Sequence, residues 1–208
     1  MKASVIWDLD GTLLDSYGLI VDALYRIYKE KGVDISKQEI LEDAINESVS
    51  FFIKKMEATF GVPFDDLKDR YLIISHNAKN NIKAMKHSKE ILEFIKNKGI
   101  PNYVFTHRGV TTEAVLKNIG LYEYFDEIVT SLSGFARKPD PEGINYFVNK
   151  YHLDKEQTYY VGDRPMDIKC ANNAHIKSIM FLPDGSVAQL SKKETYVVKD
   201  LLQIKDII

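Results

Sequence analysis

Sulfur cross-links are the first thing this sequence rules out. Its 208 residues include a single cysteine, Cys170, so no internal disulfide framework is available, as suits a reducing compartment. Long apolar runs are missing too: nothing reaches the ~18 consecutive apolar residues of a membrane-spanning helix. An N-terminal apolar segment of signal-peptide form is also absent, because acidic residues begin at Asp8. These absences lead to the expectation of a cytoplasmic protein with no membrane partner. Neither sign of charge dominates. The 28 Lys and Arg against 30 Asp and Glu leave a formal net charge of −2, which gives no electrostatic footprint for nucleic acid. No internal repeat or low-complexity segment occurs. What is present is ordinary for a globular chain, with 45% apolar and 28% charged residues; the length allows one sizeable domain, or a core with a small accessory one.

The chain is organised around Ser4-Val5-Ile6-Trp7-Asp8-Leu9-Asp10-Gly11-Thr12-Leu13-Leu14-Asp15. The short apolar run ending at Trp7 reads as a buried strand that runs into a loop. Asp8 and Asp10 follow, two residues apart. On extended backbone such side chains point the same way, so both carboxylates can face one small volume. Like charges that close raise each other's pKa unless a cation lies between them or one keeps its proton. The pattern therefore fits a metal-assisted or general-acid site, against the alternative of an acidic strand end in an exposed turn.

After Asp15 the pattern becomes helical as far as Met85. Leu19, Ile20, Ala23, Leu24, Ile27 and Tyr28 recur at helical spacing, with Gly32 as a stop. Ser36 and Glu39 read as a capping box. Further helices are expected over 49–59 and from Asp65 towards Met85. From Ser88 onwards helices alternate with short strands at 102–105, 127–129, 158–161, 177–181 and 196–198, and a terminal helix is expected near 199–207. Strands alternating with helices imply a parallel sheet covered on both faces, with sites at the carboxyl ends of its strands.

Four motifs stand at those ends, in order: Asp8-Leu9-Asp10-Gly11-Thr12, then Val104-Phe105-Thr106, then Lys138-Pro139, then Gly162-Asp163 with Asp167 four residues on. Together they resemble the haloacid dehalogenase superfamily of aspartyl-phosphate phosphotransferases, in particular its phosphoglycolate phosphatase branch. The resemblance implies an α/β fold: a Rossmann-like, three-layer parallel-sheet core of residues 1–15 and 86–208, with residues 16–85 as an inserted all-α C1 cap. It implies that Asp8 is the nucleophile and Asp10 the acid and then base. Thr106 would donate to a phosphoryl oxygen and Lys138 would neutralise its charge. Mg²⁺ would be held by Asp8, the Asp10 carbonyl and Asp163, with Asp167 in support. An acid at position 10 departs from the dehalogenase branch and points to phosphate chemistry. Thr12, His107 and Arg108 are candidate substrate contacts; a hydroxyl, backbone N–H groups and a guanidinium all pair well with phosphate. Cys170 reads as a small buried hydrophobe, and the histidines lack metal-ligand spacing.

The expected function is a Mg²⁺-dependent hydrolase of a small phosphate monoester, acting as a monomer or homodimer. A phosphomutase similar to β-phosphoglucomutase, a pyrophosphatase of the same branch and a non-catalytic binding protein are the alternatives. Fold alone cannot separate these.

Overall fold

The computed structural model of the chain describes residues 3–208. Eight strands are present among them: β1 (Ser4–Trp7), β2 (Leu14–Asp15), β3 (Lys83–Ala84), β4 (Asn102–Phe105), β5 (Glu127–Val129), β6 (Thr158–Gly162), β7 (Lys177–Phe181) and β8 (Tyr196–Val198). Six of them form one parallel sheet in the order β5-β4-β1-β6-β7-β8. The first strand thus lies in the middle. The chain builds outward through β4 and β5, returns to the other side of β1 at β6, and builds outward again. In such sheets the loops leave a crevice at the carboxyl ends where the direction reverses. Trp7 is in register with Val104 on one side and Val161 on the other, so the residues just beyond β1, β4 and β6 share one rim.

Side chains alternate between the two faces, as a period of two requires. Val5, Trp7, Val104 and Val161 pack with Ile91, Leu92 and Ile95 of α5 (Ser88–Asn97). Ile6, Tyr103, Phe105 and Tyr160 face the other way, onto α7 (Glu142–Tyr151) and α8 (Pro165–Ala174). The helix α6 (Thr112–Asn118) lies between β4 and β5 in sequence. With both faces covered, the central strands are buried along their whole length. Trp7 is fully buried, and its Nε1–H donates to Asn102 Oδ1 at 2.9 Å. No helix among the described residues is long and apolar enough to cross a membrane.

Four helices stand between β2 and β3: α1 (Tyr17–Glu30), α2 (Lys37–Asn46), α3 (Val49–Phe60) and α4 (Phe64–Ala78). They have a core of their own, built from Ile20, Leu24, Ile27, Phe52 and Met56 among others. Ser36 caps α2 by accepting from the Gln38 N–H, and Ser48 caps α3 by accepting from the Phe51 N–H. The entry and exit of this insertion are tied together, because β2 and β3 pair antiparallel.

Two expectations need correction. The helix expected to run towards Met85 stops at Ala78. Residues Lys79–Asn81 form a 3₁₀ turn, after which Lys83–Ala84 is taken up by the pairing with β2. Two consecutive asparagines are poor helix formers, and the chain must return to where it left the sheet. The terminal helix is a 3₁₀ segment, Leu201–Asp206, capped by Asp200. Its buried residues Leu201 and Ile204 are three apart, and a 3₁₀ helix places such residues on one face.

Gly143, in the first turn of α7, packs its Cα against the Phe105 ring so closely that a Cβ would overlap three ring carbons. Gly143→Ala should therefore lower stability by about 1–3 kcal/mol, although alanine is the better helix former. Urea unfolding of the variant checks this, and a rise in midpoint would contradict it.

Candidate active site

The rim formed by β1, β4 and β6 carries the chemistry. Asp8 follows β1, and its backbone N–H continues the ladder to the Val161 carbonyl. Beyond it the chain folds into a tight turn, with the N–H groups of Thr12, Leu13 and Leu14 all donating to the Leu9 carbonyl. Gly11 makes that turn possible. It sits at φ +83°, and a Cβ there would run into the Tyr17 ring and the Asp163 carboxylate.

Asp8, Asp163 and Asp167 are buried, and one carboxylate oxygen of each lies within 4.8 Å of the others. Their surroundings treat them differently. Burial would push Asp8 up, but the Lys138 ammonium and the Arg164 guanidinium outweigh it and hold Asp8 below the usual carboxylate range. Lys138 Nζ lies 2.9 Å from Asp8 Oδ1 and Arg164 Nη2 lies 3.3 Å from Asp8 Oδ2. Asp163 has no cation against it. Burial, then the Asp167 charge, raises it to about 7, while it accepts hydrogen bonds from Thr12 Oγ1 at 2.8 Å and Tyr17 Oη at 2.7 Å. Asp167 accepts from Lys138 Nζ at 2.6 Å and, through its other oxygen, from the Arg164 N–H, closing the start of α8 as a capping box.

Lys138 is wholly buried and donates to Asp167 and to Tyr160 Oη. With its protons so directed, Asp8 Oδ1 is buried with no aligned hydrogen bond. Asp8 Oδ1 without an aligned hydrogen bond, beside an Asp163 that has no ion pair among the described residues, gives buried acceptors that a cation would satisfy. The donors are all oxygen, which suits a hard ion such as Mg²⁺. The residues fit the metal.

The other expected site residues divide. Thr106 is buried at the end of β4, and its Oγ1 accepts the Arg108 N–H, which leaves the hydroxyl proton free to donate. Asp10 faces the pocket but is paired with Arg108, whose Nε lies 3.2 Å from each carboxylate oxygen and whose Nη2 is 2.5 Å from Oδ1. Thr12 is fully buried, and its hydroxyl serves Asp163. His107 is also engaged inside the protein, since its Nε2 accepts the Lys138 N–H at 2.8 Å. Burial, then Lys138 and two arginines, pushes His107 down to about 2, so it stays a neutral acceptor. Arg164, Tyr17 and Tyr160 were not singled out from the sequence. Arg164 stands beside Asp163 within a motif and was open to suspicion; nothing in the sequence ties Tyr17 to Asp163, 146 residues away.

A carboxyl raised in the folded state holds a proton that the unfolded chain has released. Asp163 therefore costs the metal-free protein stability as pH rises from its ordinary 3.8 through about 7. In chelator at pH 8, Asp163→Asn should melt higher than the parent by roughly 3–10 °C. The difference should shrink as pH falls and approach zero below about pH 4. A variant that melts lower at pH 8 would contradict this reading.

The model of haloacid dehalogenase-like hydrolases matches residues 5–181. The pyrophosphatase PpaX of Oceanobacillus iheyensis is 28% identical, with 99% of this chain and 94% of that protein covered. The glyceraldehyde 3-phosphate phosphatase of Methanocaldococcus jannaschii is 27% identical over 100% and 97%. The phosphoglycolate phosphatase of Vibrio cholerae is 27% identical over 82% and 80%. Among solved structures, one of a predicted phosphoglycolate phosphatase from Haemophilus somnus superposes with a TM-score of 0.85 at 20% identity, over 99% of this chain and 97% of the other. The matched span runs from the strand that bears Asp8 to the end of β7 and takes in every residue of the buried acid cluster, so the chain belongs to the haloacid dehalogenase-like hydrolases.

Proposed function

We propose that the protein is a Mg²⁺-dependent phosphatase that hydrolyses a small phosphate monoester through an aspartyl phosphate on Asp8. The observation that carries this is an ionised, buried Asp8, held between Lys138 and Arg164 at the floor of a pocket and grouped with Asp163 and Asp167 closely enough to share a cation. A low-pKa carboxylate is a competent phosphoryl acceptor, and a covalent intermediate splits one difficult displacement into two easier ones.

In the first step an Asp8 oxygen bonds to phosphorus as the ester oxygen leaves, taking a proton from Asp10. In the second, Asp10 removes a proton from water, whose oxygen attacks the aspartyl phosphate and releases phosphate and free Asp8. Arg108 positions the Asp10 carboxylate for this work. Thr106 donates its hydroxyl proton to a phosphoryl oxygen, and Lys138 and Arg164 offset the negative charge. Asp8, the Asp10 carbonyl and Asp163 would hold Mg²⁺, with Asp167 in support. The ion supplies further charge neutralisation on the phosphoryl oxygens when bound. The four inserted helices, residues 16–85, act as a cap over the pocket. They line it from above and would exclude water during transfer.

Phosphate release from small esters should require Mg²⁺ and stop in chelator. Asp8→Asn should reduce it to background, because an amide cannot form the acyl phosphate. Asp10→Asn should lower kcat by roughly 10²–10⁴-fold while Mg²⁺ binding, followed by calorimetry, stays within about threefold of the parent. Full activity in either variant would sink the assignment.

A further inference from the structure

The cavity over Asp8 measures about 700 Å³, within the roughly 300–1,000 Å³ range of pockets that enclose a drug-sized ligand. Its two ends differ in chemistry. The floor is ionic, where Asp8 and Asp10 line the cavity together with Arg108, Arg137 and Arg164. Arg137, alone of these cations, has no acidic partner at ion-pair distance among the described residues; it lines the floor beside Arg164.

The far end is apolar. Leu19, Val49 and Leu72 of the insertion line the cavity together with Val110 and Leu132 of the sheet's loops. Leu72 is 49% exposed, Val110 74% and Leu132 66%, so the fold itself gives them little cover. Lys68 and His76 are the only basic residues that line the insertion side. The Lys68 ammonium stands 5.9 Å from the centre of the Phe64 ring, and His76 Nε2 meets Lys79 Nζ at 3.0 Å. Leu72, Val110 and Leu132 offer no hydrogen-bond or ionic partner to a carboxylate or second phosphate on the leaving group. Inorganic pyrophosphate would leave that wall wet.

We infer that the substrate is the phosphate monoester of an uncharged, apolar alcohol, of benzyl or medium alkyl size, whose hydrocarbon part lies between Leu72 and the Val110–Leu132 rim. This rests on the phosphatase reading and narrows it to a substrate class that none of the relatives' names contains.

The test compares kcat/KM with Mg²⁺ for benzyl, n-hexyl, ethyl and glycerol phosphates, phosphoglycolate and pyrophosphate. Benzyl and hexyl phosphate should exceed ethyl phosphate and phosphoglycolate by 10-fold or more, since a single methylene in an apolar pocket is worth roughly 10–200-fold. Leu72→Asp should cut the benzyl-to-ethyl ratio at least fivefold. A best rate on phosphoglycolate or pyrophosphate would overturn the substrate class and leave the phosphatase reading standing. Silence on every ester would remove the phosphatase reading. The pocket is then judged by thermal shift in Asp8→Asn: benzylphosphonate should raise the melting temperature more than methylphosphonate or phosphonoacetate, and equal or reversed shifts would overturn the apolar assignment.

Discussion

Three carboxylates sunk into the end of a parallel sheet repel one another, and burial penalises each charge separately. Much of the surrounding structure can be understood as the response to that cost. Lys138 is stripped of water to lie between Asp8 and Asp167. Arg164 is drawn over Asp8 although its Nε finds no hydrogen-bond partner. Tyr160 accepts a hydrogen bond from Lys138 and donates its own to the Phe105 carbonyl. Asp163 alone of the three has no ion pair among the described residues, which leaves the cluster able to take up a cation.

The sheet order turns this local problem into a site. With β1 central, its carboxyl end adjoins those of β4 and β6, and three segments more than fifty residues apart converge without long loops. The inserted helices enter at the same place. Leu14–Asp15 and Lys83–Ala84 pair as a clasp, so the insertion is anchored within a few residues of Asp10. Tyr17, the first residue of α1, reaches back to Asp163. The insertion and the acid cluster are thus coupled through one hydrogen bond, which gives a physical route by which the state of the metal site and the position of the helices can influence each other.

Several departures from the sequence reading share a cause. Thr12, His107 and Arg108 are candidate substrate contacts because their chemistry suits phosphate, and His107 and Arg108 line the pocket. In the fold, Thr12 and His107 are absorbed by internal needs, on Asp163 and the Lys138 backbone, and Arg108 is committed to Asp10. A donor next to a buried carboxylate satisfies the carboxylate first, since an unpaired buried charge costs more than a solvent-exposed ligand contact gains.

The sequence by itself determined the alternation of strands and helices, the strand-end places of Asp8, Thr106 and Asp163, and the helical character of most of residues 16–85. Each of these is written locally, in periodicity, in glycine and proline punctuation, and in short motifs whose spacing follows from backbone geometry. Tertiary structure alone decided the rest. It alone placed Arg164 on Asp8, Tyr17 on Asp163 and Tyr160 beneath Lys138, and it left Leu72, Val110 and Leu132 uncovered around one cavity. Those relations depend on which charges share a low-dielectric volume and which apolar faces meet, and both are fixed only when distant segments are brought to the same sheet edge.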